Sequence, residues 1–553
     1  MMVSVADVRT WNPGTLDEIC ALLRARTQAI VSDGDDYGKV LPVEGWTGPA
    51  ADSAAGQHRA LMRQLDTIAA GAAALGKAIG QASDAIMGVQ SALKNADELA
   101  RKYGFAITAD GAIVCIYAGQ PPPELHPQDR ARAQTQLTDE VAQILRTAND
   151  IDADLASVLD RAAAGQFGTG DESTVAAAAA DGAKNPGLTL PEPPPNATPA
   201  QNAAWWATLS AAERNSLFRD RPGTIGAMNG LPAVDRDRAN RIVLDRDYQD
   251  LQHQRDDLRR RLNGMKRSDP QQQEEYLSLE RQLDALNGKI TGMDQIRNRL
   301  DHALPGQPPA FLLGVDPANS GHAIVAIGDP DHAVNVATYV PGTTAGVNDG
   351  MATDIYRSDA MMHMATQMGS PSTSVITWAG YDAPQTLADA ASTGYADEAE
   401  PSLRSFQDGL GAAHHGPMNT TVVGHSYGTT VVGQTARDLG LPADRLVMVA
   451  SPGVGVDHAD QLHLDGTPQD QVGQHVYSTK ALTDPIPVFT NFDGPDIGLD
   501  NVDPLGPDPT TDWFGGRTFH SDAGNPATSH SDYWNRDSSS LKSLGKIIAG
   551  SNP

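Results

Sequence analysis

Residues 420–430 read TTVVGHSYGTT. An apolar run ends in a serine, Ser426, with a glycine two positions to either side. The run Thr421–Val423 predicts a strand, and a helix is expected to begin near Tyr427. A serine held between a strand and a helix must turn sharply if its oxygen is to project above the sheet. Side chains two residues away on either side would collide in such a turn, so both positions are glycine. The pattern is that of a strand–turn–helix nucleophile.

A serine hydroxyl is a weak nucleophile and needs a base, which needs an orienting acid. In this type of turn the chain order is serine, acid, histidine. Two strands are expected after Ser426, at 445–450 and 475–479. The loop after the second holds Asp484, which is the expected acid, with Asp493 and Asp496 as rivals. The base is expected from the last loop, where His520-Ser521-Asp522 and His530-Ser531-Asp532 share a tripeptide. His530 is favoured because SDYWN follows it and would fix the ring. His425 is expected to point away from the base and to pack or hydrogen-bond under the turn. Donors for an oxyanion are expected from the N–H of Tyr427 and from Gly342 or Thr343 in the loop Pro341–Thr344.

The surrounding grammar supports a mainly parallel sheet. From about 306, β-rich runs alternate with helical stretches: 323–329, 334–342, 372–380, 420–426, 445–451 and 475–481. Intervals of roughly 20–40 residues between several of them suit crossover helices. The expected fold is α/β, a doubly wound sheet at the C-terminus behind an all-α region.

That first half is helical. Residues 51–101 place Leu61, Leu65, Ile68, Leu75, Ile79, Ile86, Val89 and Leu93 near one face. An earlier helix over about 15–32 should pair with it antiparallel, with Trp46 of GWTGPAA at the bend. FAITADGAIVCIY at 105–117 reads as a strand hairpin turning at Asp110-Gly111. A helix over about 127–164 carries a heptad seam from Leu137 to Val158. Residues 176–201 are rich in Ala, Gly and Pro and read as a linker, stiff at Pro191–Pro195. A second helical hairpin is expected over 236–302, its second arm opening at Ser268-Asp269-Pro270. The expected divisions are 1–118, 119–190, 191–235, 236–305 and 306–553.

Composition narrows function. The 553 residues hold 41 basic and 69 acidic side chains, a formal charge of -28. Such a chain is a poor partner for nucleic acid or anionic lipid. Cys20 and Cys115 are the two cysteines; one bridge between them is possible, a disulfide framework is not. No metal site and no cofactor are expected: His414-His415 point apart, and Asp349, Asp354 and His363 lack ligand spacing. No run of roughly 18 apolar residues predicts a membrane span. The N-terminus has no secretory pattern, so the cytoplasm is the expected location.

GHSYG, VPGT at 340–343, WAGYDAP at 378–384 and HSDYW at 530–534 together resemble an actinobacterial family of α/β-hydrolases formerly catalogued as a domain of unknown function. Residues 205–241 resemble the lead-in to that domain. The resemblance spans roughly 205–540. It implies an α/β-hydrolase fold and esterase- or lipase-type chemistry, with Ser426 matching the nucleophile, Asp484 the acid and His530 the base. It implies an ester or lipid-like substrate. Separately, Trp46-Thr47-Gly48 between two helices resembles the WXG hairpins of type VII secretion, which would imply export by that route and a helical partner. The tyrosine-x-x-x-acid signal of such proteins is missing near residue 100.

Overall fold

The computed structural model describes residues 2–122, 125, 127–168, 173–185, 187–267, 272–303, 306–486 and 505–553. The chain divides into two compact units. One comprises 1–197 with 201–217, the other 198–200 with 218–553. The expected divisions at 235 and 305 therefore fall inside the second unit.

The first unit is helical. Its main elements are α1 (Val5–Thr10), α2 (Pro13–Gly38), α3 (Pro49–Lys102), α4 (Pro127–Ala163) and α5 (Val175–Lys184), with a two-stranded hairpin of β1 (Phe105–Ile107) and β2 (Ile113–Cys115). Helices α2 and α3 pair antiparallel: Ser83 Oγ donates to the Pro13 carbonyl and Cys20 Sγ to that of Gly76. Both cysteines are free thiols, Cys20 buried and Cys115 exposed. The heptad seam of α4 buries Leu137, Val141, Ile144, Ala148, Ile151 and Val158. On α3 the expected stripe needs correction. Leu61 and Ile68 are exposed at 38% and 54%, while alanines at 69, 70, 74, 78, 82 and 85 form the interior. Small residues let helices close together, and this decides the packed face.

Three short helices occupy the expected linker and lead-in: α6 (Pro199–Thr208), α7 (Ala211–Asp220) and α8 (Pro222–Ala227). Composition alone reads residues 176–201 as linker, yet α5 (Val175–Lys184) occupies its start and α6, with Trp205 and Trp206 buried, begins before its end. The hairpin α9 (Ala233–Asn263) and α10 (Gln273–Asp301) follows. The proposed start Ser268-Asp269-Pro270 lies outside the described residues.

The sheet of the second unit has eight strands: β3 (Ala310–Asp316), β4 (His322–Ile327), β5 (Asn335–Val340), β6 (Thr373–Ala379), β7 (Asn419–His425), β8 (Arg445–Val449), β9 (Val476–Thr479) and β10 (Arg517–Thr518). Their spatial order is β10-β9-β8-β7-β5-β6-β4-β3. The β3–β4 and β4–β6 pairs are antiparallel; the other five are parallel. Central strands are buried on both faces, as the continuous apolar runs require. Ala337, Tyr339, Val423, Val447 and Val449 face one core, with α10, α11 (Met351–Gln367) and α14 (Ser539–Ile548). Val336, Val340, Val422, Leu446 and Met448 face the other, with α12 (Gly394–Ala413) and α13 (Tyr427–Asp438). No described helix is long and apolar enough to cross a membrane.

Candidate active site

Ser426 sits at the C-terminal end of β7 and caps the N-terminus of α13, with φ 54 and ψ -130. An L residue pays about 1–3 kcal/mol to hold such a backbone. The surroundings impose it. The Ser426 N–H donates to the Val449 carbonyl at 3.0 Å, and its own carbonyl accepts from Thr429 N–H and Oγ1 at 2.9 and 2.7 Å. The flanking glycines are steric necessities. A Cβ on Gly424 would lie 2.7 Å from Thr429 Cα, and one on Gly428 would lie 2.1 Å from the Val340 carbonyl oxygen. Thr344 and Ala450 also have positive φ, 69 and 55. These three strained positions follow β5, β7 and β8, which are adjacent in the sheet.

The expected acid and the expected base come together. Asp484 follows β9, and His530 precedes a short 3-10 turn, Asp532–Trp534. His530 Nδ1 lies 3.0 and 2.9 Å from the two Asp484 carboxylate oxygens. An ionised carboxylate only accepts, so in the neutral ring Nδ1 carries the proton and Nε2 is left basic. Asp484 is 1% exposed and accepts further from the Tyr533 hydroxyl at 2.7 Å and the Ile486 N–H at 3.0 Å. Tyr533 in turn accepts from the Ala481 N–H at 2.8 Å. Burial and the Asp484 charge push the Tyr533 phenol upward, so it stays a donor. The Tyr533–Asp484 contact is one that sequence reasoning missed. Tyr533 lies in the quoted HSDYW, but only the fold shows that its hydroxyl reaches Asp484.

Ser426 and His530 are not hydrogen-bonded to each other among the described residues. Ser426 is 6% exposed. His425 differs from expectation. It does not point away from the base: its Nε2 donates to the His530 carbonyl at 2.9 Å, and the two ring centroids are 4.9 Å apart. Burial, then the charges of Arg357 and His530, hold its pKa well below the usual histidine range. It is a neutral support for the segment that carries His530.

Gly342 lies directly against the turn. A Cβ there would be 2.8 Å from both Ser426 Cβ and Tyr427 N. The Pro341–Ala345 loop is pinned by the Tyr381 hydroxyl on the Pro341 carbonyl at 2.8 Å and by Thr344 N–H on the Pro384 carbonyl at 2.8 Å. Among the described residues the N–H groups of Gly342 and Thr343 donate to no other group. Tyr427 contributes its backbone at the same place. Its hydroxyl is turned away, donating to the Ser392 carbonyl at 2.5 Å.

Of the rivals, His520 is an exposed side chain 3.8 Å from Asp522, while Asp493 and Asp496 lie outside the described residues. Asp354 is buried against Arg357, His363 meets Gln367, and His414 meets backbone carbonyls. Among the described residues no group of three or more His, Cys, Asp or Glu could hold a metal ion.

Comparison with known proteins agrees with the sheet. Residues 316–492 match a family model described as alpha/beta hydrolase. That span contains Ser426 and Asp484 and stops short of His530. The uncharacterized protein Rv2079 of Mycobacterium tuberculosis is 31% identical over 412 residues, 67% of this chain and 60% of that protein. The chain thus spans 60% of the length of the curated relatives it first matches. Rv0963c, also uncharacterized and from M. tuberculosis, is 29% identical over 177 residues, 30% of this chain and 66% of that one. A solved arylesterase structure aligns at 10% identity with a TM-score of 0.27, over 47% of this chain and 91% of its own. The C-terminal part of this chain carries an alpha/beta hydrolase domain, with a mainly parallel sheet.

Proposed function

We propose that the second unit is a serine hydrolase of carboxylic esters. Ser426 Oγ attacks the ester carbonyl while His530 Nε2 takes its proton. The C=O π bond opens to an oxyanion held by the N–H groups of Tyr427 and of Gly342 or Thr343. Collapse expels the alkoxide, which takes the proton from His530, and leaves an acyl-serine. Water, deprotonated by the same imidazole, then releases the acid and restores the serine. Asp484 fixes the tautomer and offsets the imidazolium charge. The observation that carries this reading is the strained Ser426 on one loop with the Asp484–His530 pair built from two later ones.

The test is covalent labelling. A fluorophosphonate probe is expected to modify the folded protein at Ser426, and Ser426→Ala to lose both labelling and p-nitrophenyl ester turnover. Folded protein that does not label would refute the assignment. The substrate is read as an ester or lipid-like molecule; a panel of acyl chain lengths would identify which.

A second role belongs to the helical unit. Tyr37, Val40, Val43 and Trp46 are all exposed around the α2–α3 bend. This apolar tip favours a helical partner, as in type VII secretion, and that machinery would carry the chain out of the cell. Replacing Val43 and Trp46 by serine is then expected to abolish both partner retrieval and appearance in the medium. An unchanged distribution would remove this reading.

A further inference from the structure

We propose that the buried Asp354–Arg357 pair on α11 is a positioning device for the histidine segment, acting on the reaction through His530 without touching substrate. The proposal rests on the Ser426–His530–Asp484 reading. Arg357 Nη1 donates to the Tyr339 hydroxyl at 2.8 Å and to Asp354 Oδ1 at 3.0 Å. Its Nη2 reaches Ser531 Oγ at 3.3 Å, and the guanidinium carbon stands 4.7 Å from the centroid of the Trp534 ring. Ser531 directly follows His530, and Trp534 ends the next turn. The arginine therefore grips the base-bearing segment at two points.

The other end of the device is anchored in the sheet. Tyr339 belongs to β5, and Thr377 of β6 donates to the Asp354 carbonyl at 3.3 Å while pairing with Ser358 at 2.7 Å. His425, at the end of β7, stands 4.9 Å from the centroids of both His530 and Trp534. Its Nε2–H donates to the His530 carbonyl, and burial first of all keeps the ring neutral. The nearby guanidinium charge helps to keep it so.

A buried ion pair is seldom worth more to stability than apolar residues of the same size. Removing one partner is costly, because it strands the other. The pair here has a geometric job: a planar fork gives direction that an ammonium does not. Ångström-scale misplacement of a reacting group costs about 100-fold in rate.

The experiment compares kcat, KM for a p-nitrophenyl ester and the rate of fluorophosphonate labelling across variants of the full chain. The double change Asp354→Leu with Arg357→Met replaces both charges together and avoids stranding either. It is expected to keep circular dichroism and Tm, to hold KM within about twofold, and to lower kcat and labelling rate by about 10–100-fold. Arg357→Lys keeps the charge but not the fork and is expected to fall between. Ser531→Ala removes one grip and is expected to cost a few-fold in kcat, which keeps the test open should the double variant fail to fold. Wild-type kcat in folded Arg357→Lys and Ser531→Ala would overturn the role of the arginine. Wild-type protein that neither turns over ester nor labels at Ser426 would overturn the underlying catalytic reading as well.

Discussion

The two units reach burial by different routes. In α3 the contacts that close the helices are alanines, and Gly182 of α5 comes so near that a Cβ would lie 2.1 Å from the Ala70 carbonyl oxygen. In β5 every residue from Asn335 to Val340 is buried, because the strand has a helix layer on each face. A helix in a bundle shows one packed stripe, and its closest approach is set by its smallest residues. A central parallel strand has no exposed side. Strain divides the same way. The helical unit has one non-glycine residue at positive φ, Asn196, among the described residues, and asparagine tolerates that region. The other unit has an asparagine there too, Asn319, but adds Thr344, Ser426 and Ala450, which follow three adjacent strands. Relaxed packing makes a scaffold, whereas strain collects where side chains are aimed.

The sharpest way to break this contrast is at Ser426. Ser426→Ala is expected to cut ester turnover by about 10⁶-fold, read by p-nitrophenyl ester hydrolysis. Ser426→Gly should be equally inactive yet unfold at higher temperature, because glycine relieves about 1–3 kcal/mol of backbone strain. A glycine variant no more stable than wild type would show that the turn stores nothing. Asp484→Asn is expected to cost about 10⁴-fold in kcat by permitting the wrong tautomer of His530. Gly342→Ala follows, at about 100-fold, since its methyl group would push the Pro341–Ala345 loop away from Ser426 and Tyr427.

Gly182→Val sharpens the other side. It should destabilise the helical unit by about 1–3 kcal/mol in chemical denaturation and leave kcat within about twofold. A collapse of kcat would mean that the units are energetically coupled. The smallest effect concerns pH. Burial, reinforced by Asp438 and Asp397, raises the Glu400 carboxyl to about 7. The folded state then binds more protons than the unfolded chain between about pH 4.5 and 7, so stability falls as pH rises through that window. Glu400→Gln is expected to flatten the slope, measured by Tm against pH.

Much of the α/β unit was legible because its constraints are local. Glycines two residues either side of a serine, after a strand, leave little freedom of interpretation, and the runs at 334–342, 372–380 and 445–451 each became a strand. Strand β3 was missed because its run AFLLGVD follows a proline-rich stretch without periodicity, and β10 because two residues carry no pattern. The helical stripes gave the elements but misplaced Leu61 and Ile68, since apolar spacing does not say which neighbour is small. Asp484 was ranked by its place after the second strand past Ser426, and His530 by the SDYWN that follows it. The links from Tyr533 to Asp484 and from Arg357 to Ser531 could not be read in this way, because they join segments 49 and 174 residues apart. His425 was misjudged for the same reason: its partner is a carbonyl 105 residues away.

Only 6% of Ser426 is open to solvent. On the proposed reading, bulk should therefore count against a reagent as much as weak electrophilicity does: of two organophosphorus probes matched in reactivity, the slimmer is expected to label Ser426 faster.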